Sequence, residues 1–135
     1  MARETKMAVE FEPMIGRYFM LEVGGKSYRI YMEEAGRGIP LLCLHTAGSN
    51  ARQFRHILAD ADITSRFRVM AFDLPWHGKS NPPKDFRNED YKLTVHGYKA
   101  IINAVCSALE LESPVVMGCS MGGRIVCHLA LENPA

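Results

Sequence analysis

VVMGCSMGGRIV, residues 115–126, decides how the rest of this 135-residue chain is read. Val115, Val116 and Met117 form a short apolar run that ends at Gly118. Gly122, Ile125, Val126, Leu129 and Ala130 then recur at helical spacing. A strand that becomes a helix within two residues needs a sharp turn, and two readings fit it. In one, the glycines pack a helix tightly on a sheet and Ser120 caps the helix. In the other, Ser120 is held out as a nucleophile, and glycine at 118 and 122 relieves the crowding on either side of a strained apex. GCSMG has the G-x-S-x-G form in the strand-to-helix context that the second reading requires, yet five residues alone leave both open. In that second reading the helix starting near Met121 points its N-terminal N–H groups at the reacting centre. The Met121 amide would then be one donor to an oxyanion.

Outward from this stretch the chain alternates strand and helix patterns. RYFMLEV (17–23) and KSYRIYM (26–32) both alternate, with Phe19, Leu21 and Val23 on one face and Tyr28, Ile30 and Met32 on another. Gly24-Gly25 between them suits a two-residue turn with positive φ, so these runs predict an antiparallel hairpin. PLLCL (40–44), FRVMAF (67–72) and PVVMG (114–118) are short and mostly apolar, as strands buried on both faces of a parallel sheet are. Phe54, Ile57, Leu58 and Ala61 follow a cap at Ser49 or Asn50. Tyr98, Ile101, Ile102, Val105 and Leu109 make a clearer helical stripe, capped by Asp90 or Thr94. The order β-β-β-α-β-α-β-α predicts an α/β sheet covered by helices on both sides.

Two more segments bear on Ser120. LLCLHTAGSN (41–50) is a buried strand that ends in His45 and passes through small residues. FDLPWHGKSNPP (72–83) leaves the next strand through Asp73 and a tight turn. LHTAGS resembles the HG-x oxyanion loop of the α/β-hydrolase-fold family, DLPWHGKS resembles its D-x-P-G-H-G-x-S turn, and GCSMGG resembles its nucleophile elbow. From residue 17 onward the chain therefore resembles the N-terminal half of a serine esterase-like α/β hydrolase. The resemblance implies a mostly parallel sheet with helices on both faces and an N-terminal antiparallel hairpin. It makes residues 1–135 the N-terminal part of a single domain that stops after the helix following the nucleophile, without cap or C-terminal strands. Ser120 matches the nucleophile, and Met121 and Ala47 match the backbone donors of the oxyanion hole. The implied reaction is cleavage of an ester or related acyl bond in a small molecule, through an acyl-enzyme on Ser120 and without a cofactor. Thr46 stands where the family has glycine after the histidine. Trp76 stands where it has glycine in the turn, as a plug for the loop rather than an apolar wall of the pocket.

A serine nucleophile needs a base, and the base an orienting carboxylate. In the family both follow the serine, beyond the positions matched here. Among the histidines present, the resemblance gives His45 a structural role. His56 and His96 lie off their helical stripes, and His128 lies about two turns from Ser120. His77 and Asp73 match residues that hold their turn together. A reading of a different class therefore stands beside the enzyme: a catalytically incomplete fragment or binding module of the same fold.

Composition excludes other classes. The net charge is +1 and the basic residues form no stripe, so neither nucleic acid nor an anionic membrane surface is an expected partner. Residues 1–13 have no signal-like apolar run, and Cys43, Cys106, Cys119 and Cys127 have no zinc-like spacing. These features predict a cytoplasmic protein with reduced, structural cysteines, and Cys119 buried beside the apex. A chain ending after its third helical segment would leave the strand at 114–118 as an unprotected edge. Self-association through that edge is expected, and a monomeric, sharply melting chain in sedimentation and calorimetry would refute it.

Overall fold

The computed structural model describes residue 4 and residues 7–132. Strands β1 (Ile15–Val23), β2 (Lys26–Ala35), β3 (Ile39–Leu44), β4 (Phe67–Phe72) and β5 (Val115–Gly118) form one sheet in the order β1-β2-β4-β3-β5. β1 pairs antiparallel with β2, and β2 antiparallel with β4, whereas β3 runs parallel to both β4 and β5. Four strands thus point the same way and only β2 opposes them. The predicted hairpin forms at Gly24 and Gly25, which both take positive φ (58° and 76°), as the favoured two-residue turn demands.

Alternation along the strands sorts the core into two layers. Leu42, Leu44, Met70 and Phe72 face one side of the sheet, where they meet α3 (Val95–Ala108) and α4 (Met121–Glu132). Leu21, Ile30 and Met32 of the hairpin belong to that layer. Leu41, Cys43, Val69 and Ala71 face the other side, under Phe54 and Leu58. In α3 the residues Tyr98, Ile101, Ile102 and Val105 are buried, as the stripe predicts, and Thr94 caps the helix by accepting from the Gly97 N–H. Full burial of such side chains contributes about 1.5–3 kcal/mol each, so this face rather than helix propensity holds α3 in place.

The helix predicted after Asn50 is broken. Asn50 caps a 3-10 turn, Ala51–Phe54, which runs into α1 (Arg55–Ala59). Asp60 then takes extended backbone, and its side chain accepts from the Asp62 and Ile63 N–H groups to start α2 (Ala61–Thr64). An aspartate that caps a new helix ends the old one, so Ala61 does not continue the stripe and is exposed.

β5 is the outer strand on its side of the sheet, bonded to β3 alone. This explains a departure from the expected cysteine packing. Cys43 is fully buried in the sheet centre, where burial pushes its thiol up to about 12, but Cys119 and Cys127 are exposed. The residue beside the apex is not buried because no described element lies beyond β5 to cover it.

Candidate active site

Three loops leave the carboxyl ends of three neighbouring strands. Leu44, the last residue of β3, stands opposite Gly118, the last of β5, while Cys43 pairs with Ala71 near the end of β4. β4 and β5 flank β3 on opposite sides, and the loop after β3 leads to Phe54 and Leu58 on one face while the loop after β5 leads to α4 on the other. Open α/β sheets bind ligands at such reversal points.

Ser120 adopts φ +52°. A left-handed backbone costs a non-glycine residue roughly 1–2 kcal/mol and persists only where the surroundings impose it. Here they do. A Cβ at Gly118 would lie 2.3 Å from the Gly122 carbonyl carbon, and one at Gly122 would lie 2.3 Å from the Leu44 carbonyl oxygen. The Cys119 N–H donates to that same Leu44 oxygen at 3.3 Å and the Gly122 N–H to the Cys119 oxygen at 2.9 Å. Helix α4 is thereby drawn against the end of β3, and Ser120 stands exposed at the apex.

The β3 loop makes a tight turn in which Ser49 N–H donates to the Thr46 carbonyl and Gly48 takes φ +66°. Thr46 needs no positive φ, and its N–H donates to Gln53 Oε1 at 2.9 Å. Gln53 is a brace that the sequence did not single out, because a glutamine on a helical turn carries no signal of its own. Neither the Ala47 nor the Met121 N–H has an acceptor among the described residues.

His45 and Asp73 are tied into the scaffold. The Leu74 N–H donates to His45 Nε2 at 3.1 Å, which leaves Nδ1 to carry the proton and donate to the Thr46 carbonyl at 2.8 Å. Asp73 accepts the Ala51 N–H on one oxygen and the Lys79 N–H on the other, at 2.6 and 2.7 Å. Ser80 Oγ closes the turn by donating to the Asp73 carbonyl. His77 Nδ1 lies 3.0 Å from the Pro75 carbonyl, and its ring packs tilted against His45 at 5.1 Å and edge-on to Tyr91 at 5.8 Å. Trp76, at φ +70°, packs against Phe86 and Tyr91 and so plugs the loop. His56 and His96 are exposed, as expected.

Burial holds His45 below its ordinary pKa near 6.5, with the Thr46 carbonyl pulling the other way. Protonation would also set an Nε2–H against the Leu74 N–H. Because the folded pKa lies below the unfolded one, the unfolded chain takes up the proton first on acidification. The His45 contribution to stability is thus complete above pH 6.5 and is lost as pH falls through the lowered folded value. Urea midpoints should decline from about pH 8 to about pH 5, and the decline should flatten in His45→Gln. An equal decline in both proteins would remove His45 as its source.

Among the described residues no helix is long and apolar enough to cross a membrane. The family model of the alpha/beta hydrolase fold matches residues 39–135. The 2-hydroxymuconate semialdehyde hydrolase of Pseudomonas sp. (strain CF600) is 30% identical over 128 residues, covering 94% of this chain and 42% of that protein. The uncharacterized protein Rv2715 of Mycobacterium tuberculosis is 31% identical over 107 residues, covering 79% and 29%. Among solved structures, the N-acyl homoserine lactonase AidH superposes with a TM-score of 0.71 at 32% identity, covering 89% of this chain and 42% of that one. The chain spans less than half the length of each of these proteins.

Proposed function

The chain belongs to the α/β-hydrolase fold family, and from that premise we propose that it carries the nucleophilic half of a serine hydrolase that cleaves an ester or related acyl bond. The observation that supports this most directly is Ser120 at φ +52° between two glycines that neighbouring backbone leaves no room to replace. In the proposed reaction Ser120 Oγ attacks the acyl carbonyl carbon and its proton passes to a general base. The carbonyl oxygen takes the negative charge, which the Met121 and Ala47 N–H groups stabilise. Collapse of the intermediate expels the alcohol, which takes the proton, and water then releases the acid from Ser120. The relatives named as a semialdehyde hydrolase and a lactonase support hydrolysis of a small carbonyl compound as the reaction class.

In this reading no histidine among the described residues serves as the general base. His45 and His77 are held by backbone groups, His56 and His96 are exposed, and His128 lies on α4 about two turns beyond Ser120. That same observation favours the second reading, a module that binds an acyl compound without turning it over.

Incubation with a fluorophosphonate probe, with mass-spectrometric mapping of the adduct, tests the nucleophile. Labelling is expected on Ser120 and is completely lost in Ser120→Ala, together with any release of p-nitrophenol from p-nitrophenyl acetate. An adduct on the exposed neighbour Cys119, or none on the folded chain, would favour the binding module.

A further inference from the structure

Strand β1 is the outer strand on the side of the sheet away from β5, and it pairs with β2 alone through nine unbroken residue pairs. The two-residue turn makes Val23 and Lys26 a hydrogen-bonded pair, and such pairs alternate along an antiparallel ladder. The backbone groups of Ile15, Arg17, Phe19, Leu21 and Val23 therefore face β2, while those of Gly16, Tyr18, Met20 and Glu22 point outward. Among the described residues nothing bonds to these outward groups. An edge without proline or bulge is a template for another strand.

A segment with strand character stands immediately before it. Met7, Val9 and Phe11 alternate with Ala8, Glu10 and Glu12, the period of a strand with one apolar face. Those three apolar residues are 88%, 79% and 92% exposed, and no backbone group of residues 7–14 has a hydrogen-bond partner among the described residues. In the single chain residues 12–14 skirt the corner between α1 and α2, so pairing with another copy swings this arm into line with β1.

Arm and edge match in one register. With two copies antiparallel about a two-fold axis at Ile15, Met7 falls opposite Val23, Val9 opposite Leu21 and Phe11 opposite Phe19. Phe19, Leu21 and Val23 belong to the core layer against α3, so the arm of one copy extends the apolar layer of the other. On the other face Glu10 and Glu12 fall opposite Met20 and Tyr18. The Arg29 guanidinium lies 3.4 Å over the Tyr18 ring and pairs with no carboxylate among the described residues, so the two glutamates meet a cation. Pro13 falls where its nitrogen points away from the second copy, and its missing N–H breaks no bond. It also biases Glu12 toward extended backbone. Moving the axis by one residue sets Phe11 opposite Arg17 in one direction, and Glu10 opposite the like charge of Glu22 in the other.

We propose that the β1 edge docks the arm of a second copy: residues 7–12 of each chain add as a strand to β1 of the other and join the two sheets. The pairing does not depend on the hydrolase reading, since Ser120 follows the strand at the opposite edge.

Sedimentation velocity of the full chain over a concentration series should show a dimer. Phe11→Ser and Met20→Lys change side chains that are exposed in the single chain, so both variants fold. Each should raise the dimer dissociation constant at least about tenfold, the first by removing apolar area and the second by charging the edge. Val115→Lys, on the opposite edge strand, should leave it unchanged. Mixing Glu10→Cys with Met20→Cys under mild oxidation should give a disulfide between residues 10 and 20, mapped by mass spectrometry. Residues opposite each other in a hydrogen-bonded pair stand about 5.5 Å apart, within disulfide range. Each chain carries only one of the two new cysteines, so that bond joins two copies. A monomer throughout the series, or a dimer that only Val115→Lys weakens, would overturn the proposal. So would a 10–20 disulfide that forms only within one doubly substituted chain, which would fold the arm back on its own strand.

Discussion

Asp73→Ala should destabilise the chain by about 2–5 kcal/mol, the cost of leaving two backbone N–H groups without an acceptor at about 1–3 kcal/mol each. The carboxylate is 2% exposed and is the sole acceptor found for two backbone N–H groups among the described residues, Ala51 at 2.6 Å and Lys79 at 2.7 Å. It thereby joins the start of the 3-10 turn after β3 to the turn after β4. Removing it strands two amides and frees both loops beside the elbow. Asn is no rescue, because its NH2 group would meet one of those N–H donors with nothing to accept. Asp73→Asn should still cost about 1–3 kcal/mol. Urea unfolding followed by the fluorescence of Trp76, the single tryptophan of the chain and a member of the same loop, reads both variants directly. A loss below about 1 kcal/mol in Asp73→Ala would mean that water reaches these amides and that the carboxylate is not the joint.

Gly122→Ala should be comparably damaging, for a reason with no electrostatics in it. The added methyl would sit 2.3 Å from the Leu44 carbonyl oxygen and 2.9 Å from the Leu44 carbonyl carbon. Both belong to a sheet backbone that cannot yield without breaking the Leu44–Gly118 pairing or the Cys119 hydrogen bond. Overpacking of this kind costs about 1–3 kcal/mol or more, and at roughly 3–5 °C per kcal/mol for this size the melting temperature should fall on the order of 10 °C. Gly123→Ala is the matched control. It gains the same helix propensity, about 0.8–1 kcal/mol, but its nearest contact is the Gly118 oxygen at 3.1 Å, a fit that a few tenths of an ångström relieves. Calorimetry should separate the two clearly. Equal melting would show that α4 can slide away from β3, and the close packing that fixes Ser120 would not be rigid.

Local chemistry made much of this site legible. The glycine pair in the hairpin, the α3 stripe with Thr94 at its head, and the small residues around Ser120 each act on their immediate neighbours, so they can be read in one dimension. The broken helix after Asn50 is the instructive exception. Asp60 competes for the chain through its own side chain, and an apolar period passes straight over that competition. The brace from Gln53 to Thr46 and the lone hydroxyl of Tyr98 lay beyond any such reading, since neither residue type announces whether it will find a partner.

From residue order alone, the chain is an α/β protein with a serine perched between glycines, because steric crowding at a strand-to-helix turn admits few residue types. Which loops stand beside that serine is settled by strand order and register, which are contacts between residues far apart in the chain. The pairing of Leu44 with Gly118 brings the loops after β3 and β5 out at the same end of the sheet, and the outer position of β5 leaves Cys119 uncovered. Periodicity reports which face of an element is buried, but the neighbour that buries it is chosen only when the whole sheet assembles.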